Sequence, residues 1–309
     1  MEIRNPTENR SVVERAFRVL GVFGGRNHSL SVSDISRLSG LPVATAHRMA
    51  TKLVSLGALE RVEGSRYTIG LRLWELAAHA PRHRALRAVA ISHMLRLHEK
   101  TKAMVNLSVR DGAEGIWLES LGRGGPVRVA PMVVGDRFPL HTTASGNVLL
   151  AYASSDVQED IHARAPTRYT QGGPADPLAL RRIVSQVRRW GYAEGAFRTE
   201  RRTFAVAAPL RDRDGAVVAS LSLVTDLAGA GGPQCVGPLL ATAARISREI
   251  ATTQDRDSSL PHHRAQARGG HPIPLHTFEA VESAVESAVE SVVEAAVEGG
   301  RGATIIRHS

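Results

Sequence analysis

The residue types best suited to chemistry fall in two short stretches, and neither is built to break bonds. In the first, Ala44, Thr45, Arg48 and Lys52 recur at helical spacing, giving one small, hydroxylated, cationic face opposite the apolar Ala46, Met49, Ala50 and Leu53. Small residues let a backbone approach a polyanion closely. Arg48 can fork onto a guanine edge or a phosphate, and Lys52 can add a phosphate contact. His47 lies at the border of the two faces. In the second stretch, Phe138 to Ala151, a loop of small residues leads directly into an apolar helix. The opening amides of Ala144, Ser145 and Gly146 are then expected to be unpaired and to point outward, where the helix dipole also favours a carboxylate. The plain alternatives are a solvated basic helix and an ordinary helix start. His141 and Ser145 could be drawn as a hydrolytic pair, but no third carboxylate is spaced to orient them.

The first stretch must be carried by helices. Ser11 and Glu14 have the spacing of a capping box and open a helix whose buried stripe is Val12, Ala16, Val19, Leu20 and Phe23, stopped by Gly24-Gly25. Ser31 and Asp34 repeat that start, Ile35 and Leu38 face inward, and Gly40 occupies the left-handed position that ends a helix. Pro42 restarts the chain. After the cationic helix, Leu59 to Val62 and Arg66 to Ile69 alternate as strands around Glu63-Gly64-Ser65, a two-stranded wing that would carry Arg61 and Arg66 beside a sugar-phosphate backbone. Helix, helix-turn-helix and wing in that order are far more specific than any one of them.

The run Ser11 to Leu76, with Gly40-Leu41-Pro42, Thr45, Arg48, Leu53 and Gly57, resembles the amino-terminal DNA-binding domain of the IclR (isocitrate lyase regulator) family of bacterial transcription factors. PLHTTASGNVLLA, from Pro139 to Ala151, is similar to a signature of that family's effector domain. The resemblance implies a mixed α/β, two-domain chain: a winged helix-turn-helix, then an α+β, GAF-like domain whose loop amides at Ala144, Ser145 and Gly146 hold a small organic acid. It implies Ser222 as an effector contact. It also shows departures, since Gly195 and Ala196 replace acidic residues, Ala205 stands at a cysteine position, Val224 replaces a second serine, and Asn147 stands where lysine is common. A more cationic pocket follows as an expectation, with Arg198 or Arg201 open to a second acidic group.

Between and after these stretches the reading is coarser. Leu71 to Ala80, with Leu73, Trp74 and Ala77, is expected to be a connecting helix closed by Pro81, and Arg84 to Lys102 another. His79, His83, His93 and His98 lack an accompanying carboxylate or cysteine and read as solvated surface rather than a metal site. Met104 to Arg110, Ile116 to Ser120 and Val127 to Val134 alternate as strands, with Gly122 to Gly125 as a turn, not a phosphate loop. A helix with Ile183, Val184, Val187 and Trp190 inward ends at Gly191. Strands at Tyr192 to Phe197, Phe204 to Leu210 and Ala216 to Val224 and a helix from Val236 to Thr252 complete an α+β order.

The expected divisions are residues 11–70 for DNA, 71–83 for the linker helix, 84–253 for the effector and 254–309 for a low-complexity tail with a four-residue Ala-Val-Glu-Ser repeat. The chain has 309 residues and a formal charge of +9, which suits a polyanionic partner. One cysteine excludes an intrachain disulfide framework and suits a reducing cytoplasm. With no signal-type or membrane-length apolar run, the expectation is a cytoplasmic protein without membrane association.

These readings converge on a ligand-controlled regulator, a repressor in preference to an activator, which needs no cofactor, metal or catalytic residue. Its expected partners are double-stranded DNA with a palindromic operator, a small organic acid and a second copy of itself, as a homodimer or dimer of dimers. A winged-helix interaction module without an operator, or a small hydrolase, is the alternative.

Overall fold

The computed structural model describes residues 11–25, 27–79, 81–122, 133–164, 177–198, 202–226 and 233–256. They divide into two compact units, the first ending at Leu73 and the second beginning at Trp74 apart from Gly24 and Gly25.

In the first unit, α1 (Val12–Leu20), α2 (Val32–Ser39) and α3 (Val43–Ser55) pack around Val19, Ile35, Ala46, Ala50 and Leu53. Both capping boxes form. Ser11 Oγ accepts from the Glu14 amide at 3.1 Å while Glu14 accepts from the Ser11 amide at 2.7 Å, and Ser31 and Asp34 repeat the exchange at 3.2 Å each way. Asp34 stays below the ordinary carboxylate range chiefly because the Ser31 hydroxyl and amide donate to its charged form. Gly40 is left-handed at φ 64°, so α2 ends where the sequence places its end. Pro42 caps α3 from outside rather than joining its first turn. Val12 departs from expectation: it is 59% exposed, together with Val13 and Phe17, so the buried side of α1 is narrower than its apolar pattern.

The wing is β1 (Leu59–Val62) paired antiparallel with β2 (Arg66–Ile69), Leu59 opposite Ile69 and Val62 opposite Arg66. Leu30, in the loop before α2, bridges to Tyr67 through backbone bonds of 2.9 and 2.8 Å, so the wing's second strand is flanked on both sides. Helix α4 (Leu71–Ala78) follows, with Leu71, Trp74 and Leu76 largely exposed.

In the second unit, Pro81 opens α5 (Pro81–Thr101) as well as closing the stretch before it. A six-stranded sheet has the order β5-β4-β3-β8-β7-β6, built from β3 (Met104–Asp111), β4 (Glu114–Leu121), β5 (Arg137–Pro139), β6 (Ala193–Arg198), β7 (Arg202–Arg211) and β8 (Val217–Asp226). The paired strands run antiparallel. One sheet face, with Val105, Leu107, Val206, Leu221 and Leu223, packs under α5 and α9 (Val236–Arg256). The other face is covered by α6 (Ala144–Ala151) and α8 (Pro177–Trp190), with α7 (Ser155–Arg164) beside α8.

The sequence reading differs from this unit in several places. Of the strand expected over Val127 to Val134, residues 127–132 lie outside the described residues, as do 123–125 of the glycine turn. Val133 and Val134 are not strand. β5 and α7 were not expected. Trp190 is 47% exposed and tilts against Tyr192 instead of pointing inward. Two of the four histidines are held rather than solvated: His93 Nε2 lies 2.8 Å from Glu249 and His98 Nδ1 2.7 Å from the Ala103 carbonyl. No cluster able to hold a metal occurs among the described residues. Helix α9 runs to Arg256, past the expected border at 253, and the repeat lies outside the described residues.

Candidate nucleic-acid interface and ligand pocket

Helix α3 presents Ala44, His47, Arg48, Thr51 and Lys52 to solvent, with Thr45 half-buried behind them. The opposite side is sealed by Ala46, Ala50 and Leu53, exposed by 7% or less. Arg48, Lys52 and His47 make no hydrogen bond or ion pair among the described residues, so their donors are available to a ligand. Arg61 is exposed on β1, its guanidinium 5.7 Å from the centre of the Tyr67 ring. That arrangement leaves its charge facing water.

Arg66 is different. Its Nε donates to Ser29 Oγ at 3.1 Å and its Nη2 to the Ser29 carbonyl, so the fork the sequence assigns to a phosphate is already engaged. Thr68 Oγ1 donates to the His28 carbonyl at 2.9 Å beside it. The wing is thus sewn to the loop before α2.

In the second unit, α6 is buried along its whole length. Thr143 caps it, with Oγ1 accepting from the Gly146 amide at 2.9 Å. This corrects the expectation of three free amides: Gly146 is satisfied, and Ala144 and Ser145 keep theirs without an acceptor among the described residues. Gly146 has a packing role, because a Cβ there would lie 2.1 Å from the Leu140 carbonyl oxygen. Ser222, 2% exposed, pairs across the sheet with Asn106 and Ala207 on the face that α6 covers. Ala205 and Val224 pair with each other on that face. Arg198 pairs with Arg202, in phase with Phe204 and out of phase with Ala205 and Ala207; Arg201 lies outside the described residues. The side chain of Arg198 likewise lies outside what the structure describes.

His141 is pushed down to about 4 by burial, so it is neutral at physiological pH. Ser145 Oγ is buried with no hydrogen-bond partner, so His141 is not its base and no hydrolytic pair forms. Sequence reasoning missed Asn106, Ser108 and Ser220, which share this sheet face and are fully buried. Their polar-apolar alternation along β3 and β8 was the available signal.

Residues 78–248 match the family model described as the bacterial transcriptional regulator IclR C-terminal domain, and residues 12–63 match the IclR helix-turn-helix domain. The chain belongs to the IclR family. It is 30% identical over 215 residues to the HTH-type transcriptional regulator XynR of Escherichia coli, covering 69% of this chain and 85% of that protein. It is 25% identical to the transcriptional repressor IclR of the same organism, covering 58% and 66%. Among solved structures, it is similar to an IclR homolog of Microbacterium hydrocarbonoxydans complexed with 4-hydroxybenzoate, at 34% identity and a TM-score of 0.71, covering 78% of this chain and 99% of that one. The chain is a DNA-binding transcription regulator and not an enzyme. No helix among the described residues is long and apolar enough to cross a membrane.

Proposed function

We propose that this IclR-family member is a cytoplasmic repressor that binds a palindromic operator as a homodimer or dimer of dimers and is controlled by a small organic acid. Residues 11–70 would read DNA, 71–83 connect, and 84–253 bind the effector. The observation that carries the DNA half is the exposed, unpaired Arg48 and Lys52 on a helix otherwise sealed against its core. Ala44, Thr45, His47 and Arg61 flank them, and Arg66 acts by holding the wing rather than by touching phosphate. Two copies are required because one recognition helix reads only a few base pairs. The exposed Val12, Val13 and Phe17 of α1 are a surface that a second copy would cover.

Support for the acid half comes from the free Ala144 and Ser145 amides at the start of α6, with Ser222 on the facing sheet. The related protein bound to an aromatic hydroxy acid supports the same class of ligand. Ligand changes operator affinity only if the two conformations bind it unequally. Footprinting on the promoter beside the protein's own gene, with and without a panel of small carboxylic acids, tests both halves. A protected two-fold site that one acid shifts is the expected result. Strongly salt-dependent binding without sequence preference would instead indicate an interaction module with no operator.

A further inference from the structure

Strand alternation sends Leu107, Val109, Leu221 and Leu223 into the core under α5 and α9, so Asn106, Ser108, Ser220 and Ser222 lie on the opposite face, beneath α6. In the register Ser108 faces Ser220 and Asn106 faces Ser222. Asn106 uses its Oδ1 to accept from Ser120 Oγ at 2.8 Å, which leaves its Nδ2 free. That Nδ2 and the hydroxyls of Ser108 and Ser220 are buried with no hydrogen-bond partner. Ser145 Oγ and Asn147 Oδ1, two positions apart on α6 and so on different sides of it, are also buried and unpaired. Native proteins pair nearly all of their buried polar atoms, so three side by side on one sheet face beneath α6 call for a common partner.

The chemistry of these atoms narrows what that partner is. An amide N–H donates, an amide oxygen accepts, and hydroxyls do both. Asn106, Ser108, Ser220 and Ser222 carry no charge, and the cation next in phase on β3, Arg110 at the strand's end, donates to the Gly112 carbonyl at 3.1 Å. A second carboxylate would meet only neutral groups at Asn106, Ser108 and Ser220, at high desolvation cost, whereas a neutral hydroxyl can donate and accept at once. Met104, Trp117, Phe138 and Val224 line the same layer and suit an apolar frame.

We infer that Asn106, Ser108 and Ser220 form a second, neutral subsite that selects acids carrying a hydroxyl separated from the carboxylate by an apolar frame. This rests on the acid reading of the α6 start. It adds an uncharged subsite to the pocket at the start of α6.

Calorimetry on the full chain with benzoate, phenylacetate and hexanoate, each against its ring- or end-hydroxylated counterpart, tests the inference. The hydroxylated member should bind about tenfold more tightly in at least one pair. Ser108→Ala with Ser220→Ala, and separately Asn106→Leu, should abolish that preference while leaving the parent acid's binding in place. Without ligand, the Ser108→Ala/Ser220→Ala protein should melt no lower than wild type, because no internal hydrogen bond is lost. Acids that bind without hydroxyl preference, a preference that survives both substitutions, or a lower melting temperature for the unliganded serine variant would each overturn the subsite while leaving the acid reading intact. If no acid of any pair binds, the acid reading itself fails and the subsite with it.

Discussion

Replacing Gly146 with alanine tests whether the start of α6 is held by contact with the preceding loop. Helix propensity alone favours alanine in a helix by roughly 1 kcal/mol. Against that, the added Cβ would meet the Leu140 carbonyl oxygen at 2.1 Å, its carbon at 2.6 Å and the Leu140 Cα at 2.8 Å, all backbone atoms that cannot rotate away. Relief requires the loop and helix to part by about 1 Å, and forced repacking of this kind sits at the upper end of overpacking costs, about 3 kcal/mol. The net is a loss of about 2 kcal/mol, which for a domain of this size lowers the melting temperature by roughly 4–8 °C. Gly237, in the first turn of α9, is the control, because a Cβ there meets nothing within 4 Å. Gly237→Ala should raise stability by about 0.4–1 kcal/mol. Thermal and denaturant unfolding of both variants reads the difference directly. If Gly146→Ala were as stabilising as Gly237→Ala, the close approach of Leu140 to α6 would be wrong, and with it the geometry given for the effector site.

Three further outcomes follow from the same residues. Arg48→Ala should weaken operator binding by about 1–3 kcal/mol in a titrated footprint if Arg48 reads a base, and an unchanged footprint moves the reading face elsewhere. Arg66→Lys should lower operator affinity while leaving the slope of log affinity against log salt unchanged, since it loosens the wing; Arg61→Ala should flatten that slope by about 0.9, as loss of one phosphate contact does. Arg66 is a phosphate ligand if its variant flattens the slope too. Burial holds His141 at about 4 against the ordinary 6.5, so below pH 6.5 the unfolded chain takes up a proton that the native state does not. Stability should therefore fall as pH drops from about 6.5 toward 4 and stay level above 7 on this group's account. His141→Asn should lessen the acid-side fall in denaturation midpoints, and an identical fall in both proteins would show that His141 does not cause it.

What the sequence made legible was local. The two capping boxes, the left-handed Gly40 and the wing turn depend on residues within a few positions of one another, and each occurs where its spacing places it. The cationic face of α3 was readable for the same reason. What was not readable depends on which distant segment comes near. β5 is three residues long and contains a proline, too short to alternate, and exists because Glu114–Ile116 accepts it as a partner. No periodicity could indicate that Ser29 lies beside Arg66 or that a threonine hydroxyl takes the Gly146 amide. Polar residues alternating along β3 suggest one wet face, yet α6 covers that face. Val12 and Trp190 fit apolar stripes and still stand in solvent, because the stripe gives a helix's preferred side and not the area its neighbours can cover.

The bridge between Leu30 and Tyr67, with Arg66 on Ser29 and Thr68 on His28, bears on regulation as well as on packing. It fastens the wing to the segment that leads into the helix-turn-helix, so the bases a single head prefers are set by one braced piece with little internal play. Under the proposed reading, a ligand signal has only the pose of that piece to act upon. The effector should then scale affinity for all operators together, by changing how two heads are spaced or aimed along a duplex. It should not change which sequence is preferred, so a logo of bound sites would keep its letters and change only its occupancy.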